Sequence, residues 1–213
     1  MQLPIDTKIA GWKTVKDWND LRISLLDQDN HNAWGVAYKD FFLTRLEDRY
    51  LEPLKIIKEN GTYRGEGFSI MTIVCSLVEF IEGTFQGINY RYRRRNDPPL
   101  SQFEYNRSED IFISFLTQRH PFSLDFNKIN AAEFYKNVRC GLLHEARTKG
   151  KWTIWGSSPN NKLIDQTTNE TIVYRDDFLE ATKLLIKQYE QDLITSPVRK
   201  DAFIRKFDNV CEE

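Results

Sequence analysis

The stretch Phe68–Ile88, FSIMTIVCSLVEFIEGTFQGI, decides how the rest of this chain is read. Apolar residues cover most of its circumference at helical spacing, which predicts a central helix packed on several sides. Its polar exceptions are ordered. Thr72, Glu79, Glu82 and Gln86 follow one another at offsets of seven, three and four residues, so they share one stripe on an otherwise apolar cylinder. Burying an unpaired charge is costly or forces the group neutral, so Glu79 and Glu82 need partners. Two carboxylates near the middle of the segment also argue against a membrane span.

Outward from this helix the pattern stays helical. Ten glycines and seven prolines are few for 213 residues, and they fall between periodic segments. A first helix is predicted from about Thr14, its cap, to Leu26, and a long second one over roughly 32–59, with Pro53 as a kink. NYRYRRRNDPPL ends the central helix in a basic, aromatic terminus closed by Pro98 and Pro99. Further helices are expected over 108–119, from Ala131 to about Ala146 with Asn130 as cap, and from Asp176 or Asp177 onward with Phe178, Leu185 and Tyr189 facing the core. Alternation at 151–155 and 171–174 predicts a small β-hairpin. The expected class is all-α: an up-and-down bundle of five or six helices forming one domain over 1–195, with the hairpin inserted near 151–174 and a charged tail at 196–213.

Composition excludes several classes of function. Thirty Lys and Arg against 31 Asp and Glu give a net charge of −1, so any nucleic-acid contact must be a local patch. Cys75, Cys140 and Cys211 form no CxxC pair and leave an odd thiol under any pairing, which suits a reducing compartment. MQLPIDTKIAGWK has no apolar signal core. The expectation is a cytoplasmic protein without a membrane segment or cofactor.

Three histidines narrow the search for chemistry. His31 lies in a polar capping stretch and His120 precedes a proline at a helix end, so both have local backbone roles. His144 lies within AAEFYKNVRCGLLHEARTKG, five residues after Arg139. On an ideal wheel Phe134, Val138, Gly141 and Leu142 form an apolar stripe, with Arg139 and His144 on opposite shoulders about 140° apart. One isolated helix cannot bring both groups to one atom. A symmetry mate laid against it can, because each copy then offers both shoulders to a shared cleft. Asn137 falls within about 20° of His144 on the same wheel and is expected to line its face.

Arg139-Cys140-Gly141-Leu142-Leu143-His144 fits Arg, four to six residues, then His, the pattern that marks the HEPN superfamily of helical domains. The wider string FYKNVRCGLLHEARTKGKW, with MTIVCSLVEFIE before it, resembles bacterial proteins of this kind over about 32–193. The resemblance implies a metal-independent endoribonuclease or RNA-binding domain, usually dimeric, often in toxin, antiphage or stress systems with an antitoxin or regulatory partner. Arg139 and His144 are the motif positions. Many members carry a polar residue, often Asn, directly after the Arg, where this chain has Cys140.

The chemistry stands independently of the family. RNA carries its own nucleophile, the 2′-hydroxyl, beside each phosphodiester. Cleavage needs a base, an acid and positive charge on the phosphorane-like transition state, roles that histidine and arginine fill. Glu79 or Glu82 is a candidate to orient His144, or else to neutralise buried arginines. Arg91, Arg93, Arg94 and Arg95, interleaved with Tyr90 and Tyr92, are candidate phosphate and base contacts, as are Arg147, Lys149 and Lys151; a solvated helix terminus explains the first group equally simply. A Cys140–His144 nucleophilic pair is geometrically allowed but lacks an orienting third residue. The main competitor is a non-catalytic RNA- or nucleotide-binding dimer in which Arg139 and His144 are structural.

Overall fold

A computed structural model describes residues 2–62 and 64–212. The protein is mostly helical, 61% of it, as the periodicity predicts, with three small sheets among the described residues. It divides into two compact units. The first comprises Met1–Glu52, Gly83–Asn106 and Gln188–Glu213; the second comprises Pro53–Glu82 and Arg107–Lys187.

The first unit begins with a tight antiparallel pair, β1 (Lys8–Ala10) and β2 (Lys13–Thr14). Thr14 then caps the helix Val15–Ser24. Its Oγ1 accepts from the Asp17 amide at 3.3 Å, while the Asp17 carboxylate accepts from the Thr14 amide at 2.7 Å. The bond from the Thr14 amide, and after it one from the Thr14 hydroxyl at 2.8 Å, hold the Asp17 carboxyl below the usual carboxylate range. Residues 31–59 form one unbroken helical run, as expected. It is π-helical over Ala37–Leu43 and Glu47–Leu51, and the second of these segments lies just ahead of Pro53, which has no amide to donate.

Aromatic rings fill this unit's core. Trp18 packs on Phe41 and Phe207 with centroids 5.4 and 5.3 Å away, and Phe42 and Phe85 close on Tyr189 at 5.1 and 4.2 Å. Phe203 touches Trp18, Trp34, Phe42, Tyr189 and Phe207 and is fully buried. The expected charged tail is therefore a helix, Pro197–Val210, capped by Ser196. Its abundant charges hid the apolar face formed by Ala202, Phe203 and Phe207.

The central helix runs over Glu66–Gln86. Gly87 ends it at φ +66°, where a Cβ would lie 2.5 Å from the Ala202 Cα. The basic stretch beyond is not a helix terminus. β3 (Asn89–Tyr90) pairs in parallel with β4 (Glu104–Tyr105), and 91–103 form the loop between them.

In the second unit the helix Ser108–Gln118 lies where expected. The next long run begins earlier than expected, at Lys128, because Asn127 is the cap. Its Oδ1 accepts from the amides of Ile129 and Asn130, and Asn130 returns a bond to the Asn127 amide at 2.7 Å. Asn130 is thus the third residue of a capping box. The expected hairpin is replaced by three strands: β5 (Trp152–Trp155), β6 (Ile164–Gln166) and β7 (Thr171–Tyr174), in the order β5-β7-β6. β5 and β7 are neighbours but parallel, since the chain reverses at β6 and again through a Thr167–Glu170 turn. Ile164, inside a turn-rich stretch, is buried and anchors that extra strand.

By length and composition the Glu66–Gln86 helix is apolar enough to cross a membrane, yet 61% of its apolar window is buried within the protein. Truncating Phe203, the ring with most aromatic neighbours in the first unit, should cost about 3–5 kcal/mol. Urea unfolding of Phe203→Ala checks this, and a loss below 1 kcal/mol would show that the ring cluster does not support the fold.

Candidate active site

The Lys128–Phe134 helix continues through a π-helical segment, Tyr135–Arg139, into Cys140–Glu145. A π turn holds more residues than an α turn, so the ideal wheel loses phase across 135–139. Asn137 sits inside that segment, and the face it was expected to share with His144 was drawn for an unbroken α-helix. Its carbonyl accepts from the Lys149 amide at 2.9 Å, so it serves the turn that follows the helix. That turn starts at Ala146, in the left-handed region at φ 52°, and folds back over Gly141. A Cβ on Gly141 would lie 2.5 Å from the Arg147 carbonyl oxygen, so the motif's glycine is required by a backbone approach.

Arg139 is only partly exposed. Its Nη2 donates to Glu79 Oε2 at 3.3 Å, both side chains are 20% exposed, and its guanidinium lies 5.4 Å from the centre of the Tyr135 ring. Ser108 Oγ donates to the other oxygen of Glu79. Burial pushes the Tyr135 phenol up to about 12, with Arg139 opposing and Cys140 adding to the shift. One helical turn further along the stripe, Glu82 is wholly buried. Arg119 grips it with two bonds, Nε to Oε2 at 2.8 Å and Nη2 to Oε1 at 2.9 Å, and Ser114 Oγ adds a third at 2.8 Å.

These contacts separate the two roles considered for the carboxylates. Glu79 and Glu82 each hold an arginine. His144 stands exposed in the last turn, and no hydrogen bond or ion pair joins it to another residue among those described. The motif's two groups therefore differ: the guanidinium is fixed by its neighbours, and the imidazole is left to solvent or to a partner.

The expected phosphate contacts differ as much. Arg147 and Lys149 both reach Glu145, at 3.1 and 2.6 Å, and Lys149 first and then Arg147 hold that carboxyl below its usual range. Lys151 is exposed. Arg91 closes the base of its loop, bonding Glu104 at 2.8 Å and the carbonyls of Pro98 and Pro99 at 3.0 and 2.8 Å. Arg93, Arg94, Arg95 and Tyr92 lie exposed in that loop.

Arg119, Ser114, Ser108 and Tyr135 were not singled out from the sequence. Only Tyr135 carried a signal, its spacing of four from Arg139; the others meet the stripe across helices. Among the described residues no group of three His, Cys, Asp or Glu is placed to hold a metal ion. Comparison of the chain with family models, with characterised proteins and with solved structures returned no match.

Two outcomes follow from this geometry. Glu82→Gln removes the fully buried charge that Arg119 grips and should cost about 3–5 kcal/mol, whereas Glu79→Gln, with partial solvent access, should cost clearly less; paired chemical denaturation curves check the order. Burial pushes the thiols of Cys75 and Cys211 up to about 12 and 11, so both stay protonated and shielded at pH 8. A disulfide reagent should therefore label one thiol quickly in the folded protein, Cys140, and Cys140→Ser should abolish that fast phase.

Proposed function

We propose that this chain is a metal-independent endoribonuclease of the HEPN type, acting as a homodimer whose copies share the reaction site. The observation that carries the reading is an exposed His144, without a hydrogen bond or ion pair among the described residues, five residues after an Arg139 whose guanidinium Glu79 and Tyr135 hold in place. In this reading one His144 removes the proton of the 2′-hydroxyl, which attacks the adjacent phosphorus. The P–O5′ bond breaks, and the second copy's imidazolium protonates the departing oxygen. The products are a 2′,3′-cyclic phosphate and a 5′-hydroxyl end. Arg139 stabilises the added charge on the phosphorane-like transition state, which needs no rearrangement if Glu79 has already fixed it.

A second copy has apolar surface to meet on the same helical run. Ile129 is 74% exposed and Leu143 46%, fourteen residues apart and flanking the motif. The up-and-down bundle is the frame this reading assumes, and a toxin or antiphage setting with an antitoxin or regulatory partner rests on the resemblance. The Arg139–Glu79 pair favours one second reading, a non-catalytic RNA- or nucleotide-binding dimer in which the arginine is structural.

Incubation with mixed RNA in EDTA discriminates between them. Cleavage should persist without metal and fall at least about 100-fold in both Arg139→Ala and His144→Ala with folding retained. The protein should sediment near twice 25.2 kDa. Equal cleavage by the variants would overturn the catalytic assignment, and a strict monomer would overturn the shared site.

A further inference from the structure

In the first unit a cleft of about 600 Å³ opens beside the β3–β4 pair. Tyr90, Arg91, Phe103 and Glu104 line one side, and Arg205 and Asp208, from the Pro197–Val210 helix, line the other. The volume suits one small planar ligand, and the mixed polar lining argues against a lipid tail.

The cleft contains a platform for stacking. The Arg205 guanidinium lies 4.2 Å from the centre of the Phe103 ring, and it is steered there by the carbonyls of Gly87 and Gln86, at 3.4 and 3.5 Å. Phe103 remains 38% exposed and Tyr90 54% exposed, so aromatic surface is left for a further flat group. Nucleobases stack on such ring and guanidinium planes.

The polar groups around the platform are oriented in advance. Glu104 is anchored by Arg91 at 2.8 Å and by the Ser101 amide at 2.7 Å. Asp208 accepts from Trp18 Nε1 at 2.9 Å and from Arg22 Nε at 3.3 Å. Each carboxylate has lone pairs to spare and is a fixed acceptor for N–H donors on a base edge, which favours bases bearing an exocyclic amino group over uracil.

Positive charge follows in sequence, on the loop that joins the two strands. Arg91 pins the loop's base, and Arg93, Arg94 and Arg95 follow at two to four residues' distance, all exposed. Asp97 orders the tip by accepting the Arg94 amide at 2.6 Å. The guanidiniums of Arg94 and Arg95 have no hydrogen bond or ion pair among the described residues. A flat pocket with acceptors at its wall and free cations outside matches a nucleoside phosphate, base inward and phosphate outward.

We propose that this cleft binds one nucleotide unit of single-stranded RNA, with the flanking phosphates on Arg93–Arg95, as a substrate-anchoring site built from residues other than Arg139 and His144. It rests on the ribonuclease reading only for the source of the nucleotide.

The test is binding of fluorescein-labelled twelve-nucleotide RNAs to the full chain carrying His144→Ala, followed by anisotropy, with AMP and CMP titrated in parallel. An A- or C-rich strand should bind more tightly than oligouridylate. Phe103→Ala should weaken binding about 5- to 100-fold, the usual loss for one stacked base. Arg94→Ala combined with Arg95→Ala, both exposed positions, should lower the salt dependence of log Kd by roughly 1.4, two phosphates' worth for a single strand. RNA affinity unchanged in all these variants would overturn the site. Mononucleotides binding as tightly as the strands would overturn RNA as the source and assign the cleft to a free nucleotide. RNA held through the cleft but never cut by the unsubstituted protein would sink the ribonuclease reading alone; cleavage with an unchanged KM in Phe103→Ala would sink this one alone.

Discussion

Glu82 has no exposed surface, and every consequence of the central helix's sequence starts from the need to satisfy it. Arg119 meets the carboxylate with two short bonds and Ser114 with a third. Bonds of this kind are directional, so they fix the register between Glu66–Gln86 and Ser108–Gln118 where apolar packing alone would tolerate sliding. Desolvating the pair offsets much of its attraction, so its contribution is to specify one arrangement more than to deepen stability. The same stripe, three residues earlier, offers Glu79 to Ser108 and Arg139. One row of polar positions thus sets both the helix pairing of the second unit and the location of the motif arginine.

The π-helical segment Tyr135–Arg139 is the second constraint. It carries Arg139 at its end, beside Glu79 and over Tyr135, and hands the chain to a short α-helical turn that leaves His144 outside. Gly141 then lets the returning backbone pass close by. The sequence RCGLLH therefore has a structural reason for its arginine and its glycine. Among the described residues no hydrogen bond or ion pair holds its histidine, and the proposed catalytic reading rests on that asymmetry.

Charge is distributed in the same economical way. Glu145 absorbs Arg147 and Lys149, and Glu104 absorbs Arg91, so these cations are not free to meet a phosphate without giving up a partner. Among the cations whose side chains no ion pair or hydrogen bond holds among the described residues are Arg94 and Arg95, at the tip of the 91–97 loop, and Lys151 beyond the motif. A protein with no overall attraction for polyanions can still hold one at such a place, because screening confines exposed charges to about 10 Å.

The sequence by itself determined the helical class, the positions of the helices over 15–24, 31–59, 66–86 and 108–118, the Thr14 cap and the need for partners at Glu79 and Glu82. These depend on interactions within a turn or two, which spacing records directly. Only the tertiary structure decided which arginine meets which carboxylate, because Arg119 and Arg139 lie 37 and 60 residues from their partners and nothing local selects between them. It also decided the phase of Asn137 against His144, which a π turn shifts without changing composition, and the β5-β7-β6 order, which depends on a strand hidden in a turn-rich stretch. The last helix, read as a charged tail, shows the same limit: Phe207 and Phe203 gain their meaning from Trp18 and Trp34, 189 and 169 residues earlier, and burial is a property of the neighbour as much as of the residue.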